Sequence, residues 1–284
     1  MVSVIIPTYN RGYIIKKSIE SILKQTYKNL ELIIVDDNST DDTKAVVEGF
    51  QDKRVKYVRL ETNKGACYAR NLGVKLSSGK YIAFQDSDDV WHEGKLEKQK
   101  EFIESHNLDV VGCRMAIHLE EGINIFPRSV ELTRENIYLE NFMSTQLIFG
   151  KRECFIEEKF DERLPRFQDW ELVIRLVNKY KVKILDDVLV DTYIQNNSIT
   201  KSPQKAVEAL QIFIEKHAIN NKTEANYLRL MGIYKLQYKD DYKKCFKEAF
   251  KKDRMNKKVI IDYILSLLGL EKIHYNLYKK SGRF

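Results

Sequence analysis

Short runs of β-branched and aromatic residues alternate with segments of helical spacing through the first part of the chain, and this alternation restricts the fold most. Residues 2–6, 30–35, 55–60 and 81–84 are the apolar or alternating runs. Between them, Ile15, Ile19, Ile22 and Leu23 fall at helical spacing within 13–25, and Ala66, Ala69, Leu72 and Leu76 do so within 65–76. A strand, helix, strand, helix order implies a mostly parallel, doubly wound α/β sheet. Ser39 or Thr40 is expected to cap the helix after DDNSTDDT, with Asp41 and Asp42 in its first turn, and Gly79 reads as a helix stop.

Beyond residue 109 the pattern loosens. The spacing predicts a strand over 110–117, a helix over 134–142, a helix over 169–180 with Leu172, Ile174, Leu176 and Val177 inward, and a short strand over 182–185. After residue 202 the amphipathic runs 206–217, 225–237, 242–250 and 259–270 make the chain almost wholly helical. These runs set a boundary near residue 200, with a catalytic domain over 1–200 and a basic helical region over 201–284. Charge divides at the same place. Residues 201–284 hold 19 Lys/Arg against 9 Asp/Glu, a net of +10, so the overall +7 leaves −3 for the rest.

The 284 residues suffice for a full core, and nothing in the composition suggests disorder. MVSVIIPTYNRG has no basic leader and only a short apolar run before Pro7, so neither a signal peptide nor a span is expected there. Cys67, Cys113, Cys154 and Cys245 are scattered without C-x-x-C pairing, which suits buried, unpaired thiols and a cytoplasmic setting.

Ligands of a doubly wound sheet sit outside the carboxyl ends of its strands. Three polar clusters follow directly on strands here, PTYNR at 7–11, DDNSTD at 36–41 and DSDD at 86–89, and should converge on one crevice. A single acid in DSDD would be explained as a helix cap. Asp86, Asp88 and Asp89 together repel one another unless a cation intervenes, and a hard divalent ion with oxygen ligands, completed by a diphosphate, fits. Neither G-x-G-x-x-G nor G-x-x-x-x-G-K-[ST] is present, so no Gly-rich loop holds the phosphates.

The stretches VSVIIPTYNR, LELIIVDDNSTDDT, NKGACYARN, GKYIAFQDSDD and FDERLPRFQDWELVIRL resemble glycosyltransferase family 2, in order and spacing, over residues 2 to about 200. The resemblance implies a GT-A fold and an inverting, nucleotide-sugar-dependent transferase. It implies that Pro7, Thr8, Tyr9 and Arg11 flank the nucleotide base and that Asp37 accepts a hydrogen bond from uracil. Asn63, Lys64 and Arg70 would approach the nucleotide, Asp86 would bind ribose or sugar hydroxyls, and Asp88 would coordinate Mn²⁺ or Mg²⁺. Asp169 would be the catalytic base. For Tyr9 the plain alternative is packing, for Arg70 a structural ion pair, and for Asp169 a helix cap. Two positions depart from the family's pattern: Gln168 stands where Glu is more usual, and Gln195 where many relatives have His. Gln168, Trp170, Gln195 and Thr145 are accessory or acceptor-side candidates.

The partners implied are a UDP-sugar donor (UDP-glucose, UDP-galactose or UDP-N-acetylhexosamine) and a glycan or lipid-linked acceptor, in bacterial capsule, exopolysaccharide or other surface glycan synthesis. The basic tail suits peripheral contact with the inner face of the cell membrane, or a helical bundle that forms a homo-oligomer. Nucleic acid is not expected, because the basic tail lacks a binding motif and the first part of the chain is acidic. A noncatalytic glycan-binding or scaffold protein of the same fold and a nucleotidyltransferase remain as alternatives. The latter would favour a Gly-rich basic loop where PTYNR stands.

Overall fold

The computed structural model describes residues 1–193 and 202–280, with side chains to 278. In chain order the elements are β1 (Val2–Thr8), α1 (Ile15–Leu23), β2 (Leu30–Asp36), α2 (Thr43–Glu48), β3 (Val55–Arg59), α3 (Ala66–Leu76) and β4 (Tyr81–Phe84). β5 (Val90–Trp91), α4 (Lys95–Ser105), β6 (Val110–Leu119), β7 (Gly122–Phe126), β8 (Phe149–Lys151), α5 (Arg152–Glu157), α6 (Gln168–Lys179) and β9 (Val182–Tyr193) follow. The helices α7 (Pro203–His217), α8 (Asn221–Gln237), α9 (Tyr242–Lys252), α10 (Lys257–Leu267) and α11 (Glu271–Lys280) come last.

The strands form one sheet in the order β3-β2-β1-β4-β8-β6-β9-β5, with β7 beside β6. The first four run parallel, as do β6 and β9, whereas β8, β7 and β5 pair antiparallel with their neighbours. This is the expected doubly wound α/β sheet. β1 and β2 are buried along their whole length, which is why they read as unbroken apolar runs. Their core continues into Ile15, Ile19 and Ile22 of α1 and Leu96 and Ile103 of α4.

Several local expectations are corrected. The helix after DDNSTDDT begins at Thr43, with Asp42 at its N-cap and no acid in its first turn. Ser39 and Thr40 are engaged elsewhere: the Asn10 N–H donates to the Ser39 hydroxyl at 2.8 Å, and the Thr40 N–H donates to Asn10 Oδ1 at 2.8 Å. Gly79 does not cap α3, which ends at Leu76. Gly79 instead permits a close approach, since a Cβ there would fall 2.6 Å from the Ser3 hydroxyl. Residues 134–142 are turns rather than a helix. There, Asn136 and Thr133 exchange side-chain and backbone hydrogen bonds at 2.8 and 3.1 Å, and Asn136 also donates to the Glu131 carbonyl, which competes with a helical ladder. β9 runs far past residue 185, and α4 and α11 were not anticipated.

The chain divides into two compact units, Met1–Glu162 with Gln168–Gln195, and Arg163–Phe167 with Asn196–Phe284. The boundary expected near residue 200 lies outside the described residues, as does Gln195. In the second unit Ser202, Asn220, Asp241 and Asn256 cap α7, α8, α9 and α10 with their side chains. Phe246 of α9 packs beside Ile233 and Leu236 of α8. All four cysteines are buried free thiols; burial pushes Cys67 and Cys154 up to about 12 and Cys113 up to about 11.

Candidate active site

The parallel register sets Thr8 opposite Asp36 and Ile5 opposite Phe84, so the loops after β1, β2 and β4 leave the same edge of the sheet. The first two loops are latched together. Besides the Asn10 bonds, the Arg11 N–H donates to Thr43 Oγ1 at 2.9 Å and the Gly12 N–H to Asp41 Oδ2 at 3.0 Å. Asn10 and Asn38 sustain this latch at φ of 52° and 68°, a region that Asn tolerates better than most residues. Pro7 and Thr8 are buried, and the Thr8 hydroxyl has no protein partner. Tyr9 is 47% exposed, which does not suit the packing alternative. Arg11 is half-buried and donates to the Tyr13 hydroxyl at 2.7 Å.

Asp37 is buried, and its two oxygens accept the Lys64 and Gly65 N–H groups at 2.6 and 2.8 Å. It thereby fixes the 63–65 loop, and each oxygen keeps a second lone pair. Asn63 and Lys64 are exposed, with the Lys64 ammonium 4.6 Å from the Tyr68 ring centroid. Asp36 was not singled out from sequence. It is fully buried, accepts the Ser39 N–H at 2.8 Å and takes a hydrogen bond from the Tyr57 hydroxyl, so it shapes the loop from below.

Arg70 projects from α3 and is buried. One terminal nitrogen donates to Asp86 Oδ1 at 2.8 Å, the other to Gln168 Oε1 at 3.0 Å, and the guanidinium carbon lies 5.3 Å from the Phe160 ring centroid. The Phe160 ring meets Phe84 edge-on at 5.2 Å, which sets the end of β4 just before the acidic turn. Asp86 and Asp88 are half-buried and Asp89 is buried. Burial, then the Asp86 charge, pushes the Asp88 carboxyl up, against the pull of Arg11. Burial with Asp86 and Asp88 pushes Asp89 well up. Asp89 does not cap the next helix, whose N-cap is Gly94, because β5 intervenes. These crowded carboxylates are hard oxygen donors that lack a full cationic counterpart, so the donor set fits a hard divalent ion. Among the described residues no group of three His, Cys, Asp or Glu could hold a metal alone.

At the other side of the turn, Asp169 lies in the first turn of α6. Its Oδ1 accepts the Trp170 N–H at 2.7 Å, and Asn141 also bonds its side chain. Burial raises the Asp169 carboxyl above the ordinary carboxylate range, assisted by Asp86 and opposed by the Trp170 N–H, Arg70 and Asn141. Trp170 and Thr145 are buried, and Trp170 Nε1 donates to the Ile137 carbonyl at 2.5 Å, which suits packing rather than acceptor contact. A surface hollow bounded by Ser78, Gly79, Lys80 and Arg152 lies at the amino end of β4, away from these loops.

A GT-A type α/β protein is what this sheet, with acidic loops at its carboxyl edge, defines. The chain belongs to glycosyl transferase family 2, whose model matches residues 3–160. It is 46% identical over 214 residues to TuaG of Bacillus subtilis, a glycosyltransferase assigned to teichuronic acid biosynthesis, covering 73% of this chain and 84% of TuaG. It is 47% identical over 148 residues to the UDP-Glc:α-D-GlcNAc-diphosphoundecaprenol β-1,3-glucosyltransferase WfgD of Escherichia coli, covering 52% of this chain and 53% of WfgD. The mannosyltransferase PcManGT of Pyrobaculum calidifontis, solved with GDP-Man and Mn²⁺, shares the fold with a TM-score of 0.66 at 17% identity, over 99% of this chain and 84% of its own. The chain spans a third to about half the length of the first curated relatives that it matches. No described helix is long and apolar enough to cross a membrane.

Proposed function

We propose that the chain moves a sugar from a UDP-sugar to a hydroxyl of a glycan or lipid-linked acceptor, with inversion, in bacterial surface polysaccharide synthesis. The observation that carries this reading is the Arg70 guanidinium, which joins Asp86 of the acidic turn to Gln168 at the start of α6. This supports reading the donor-side carboxylates and the candidate base, whose acidity Arg70 and Asp86 both influence, as one electrostatic site. Asp169 takes the proton from the acceptor hydroxyl as that oxygen attacks the anomeric carbon from the face opposite the leaving nucleotide. Thr8, Tyr9, Arg11 and Asp37 hold the base and ribose side, the Thr8 hydroxyl being buried without a protein partner. Gln168 is neutral where an acid is more usual, so Arg70 keeps more of its charge for Asp86 and the diphosphate.

Asp88 would hold Mn²⁺ or Mg²⁺, which supplies positive charge to the departing diphosphate. The names of WfgD and TuaG support a UDP-sugar donor, a lipid-diphosphate-linked acceptor and a surface polysaccharide product.

The test uses the purified chain with UDP-sugars and Mn²⁺. Asp169→Asn should bind UDP normally while transfer falls by at least about a hundredfold, the range of a lost general base. Asp88→Ala should lose the metal-dependent part of UDP binding. Normal turnover by Asp169→Asn would remove the base assignment, and thermal stabilisation by GDP-sugars alone would overturn the uridine assignment.

A further inference from the structure

The last two helices are built inside out. Asp262 of α10 and His274 of α11, both polar, are buried, and Asp262 pairs with the buried Arg229 of α8, with His274 at 2.9 Å and with the Tyr278 hydroxyl at 2.7 Å. On the same helices Ile261, Ile264, Leu267, Ile273 and Leu277 are each between 47% and 65% exposed. Their spacing of three or four residues within each helix places them along one exposed face of α10 and one of α11. The buried polar cluster fixes the opposite face, so the apolar side is held outward by the fold.

The charge around this face is one-sided. Lys257, Lys258 and Lys272 are exposed, and the exposed acid, Glu271, accepts the Tyr242 hydroxyl at 2.5 Å. A second copy would bring the same lysines against themselves, whereas an anionic surface complements them. Helices of 11 and 10 residues are too short to span a bilayer and long enough to lie on one.

We propose that the outer face of α10 and α11 docks on an anionic lipid surface, its apolar residues entering the headgroup boundary and its lysines contacting lipid phosphates. This deepens the lipid-linked acceptor of the function proposed above and rests on it only for its purpose.

Sedimentation of the full chain with vesicles tests it. Binding is expected to phosphatidylglycerol vesicles at low salt, with little to phosphatidylcholine alone, and high salt should weaken it. The pair Leu267→Ser and Ile273→Ser should bind about tenfold more weakly with an unchanged melting temperature, and so should Lys257→Gln, Lys258→Gln and Lys272→Gln together. No sedimentation with phosphatidylglycerol at low salt would overturn the proposal. A concentration-dependent dimer in light scattering that the Leu267→Ser and Ile273→Ser pair abolishes would also overturn it, in favour of a second copy. Because vesicle binding is read without turnover, a chain that binds vesicles but transfers no sugar would fail the functional reading and leave this one standing.

Discussion

Arg70 is where sequence position and chemistry meet most directly. Its two terminal nitrogens reach two acceptors on separate elements, a fork that a lysine ammonium cannot reproduce. Arg70→Lys should therefore lower kcat/KM for transfer about ten- to a hundredfold, the worth of a charged, largely buried hydrogen bond, and a value within twofold of the parent would make Arg70 a bystander. Asp169 offers a second readout. Its carboxyl is raised by burial and must be ionised to act as a base, so activity should fall as pH drops through a value above the ordinary carboxylate range. Asn141 bonds the ionised form, so Asn141→Ala should move this acid limb to still higher pH in a kcat/KM profile; an unmoved limb would separate Asn141 from the titrating group. Asp86 and Asp88 were legible as acids crowded at a strand end, whereas Arg70 and Asp169 stood out only through the resemblance to glycosyltransferase family 2. Asp36 was missed because its role, under the loop, is set by partners distant in sequence.

α3 is the element that aims Arg70, and its packing leaves little slack. A Cβ at Gly73, one turn beyond Arg70, would fall 2.4 Å from Ile5 Cγ2 on the fully buried β1. Gly73→Ala should destabilise the chain by about 1–3 kcal/mol, the usual cost of overpacking, and also lower transfer by shifting Arg70. Urea unfolding together with a donor KM measures both, and an unchanged midpoint would show that β1 yields freely. The first elements were readable for the same reason that they pack: β1 and β2 are unbroken runs buried along their length, and α1 and α3 each present a regular apolar face. The two-residue β5 and three-residue β8 have no length over which a period can register. Residues 134–142 carry a helix-like apolar spacing, yet Asn136 and Thr133 satisfy one another locally and the Ile137 carbonyl is taken by Trp170.

At the scale of the whole sheet, one buried acid connects the four strands β1 to β4. Glu31 of β2 accepts Ser3 of β1 at 2.5 Å, Lys56 of β3 at 2.6 Å, and the Ser78 N–H and hydroxyl ahead of β4 at 2.7 and 2.8 Å. Burial opposes its charge, but Lys56, Ser3 and Ser78 outweigh burial and hold the carboxyl down at about 2, against a usual 4.5. A folded-state value below the unfolded one adds stability that is present above pH 4.5 and lost as pH falls towards about 2. The shift corresponds to about 3 kcal/mol, since each unit is worth about 1.4. Glu31→Gln should therefore be less stable than the parent at neutral pH by up to that amount and should lack this part of the acid slope. Intrinsic fluorescence is well suited to the measurement, because both tryptophans, Trp91 and Trp170, lie in the first compact unit and report on the sheet rather than on the helical tail. Urea midpoints taken from neutral pH down to about pH 3 should converge for the two chains; parallel curves would mean that Glu31 keeps an ordinary acidity and that the sheet is held by its apolar layers alone.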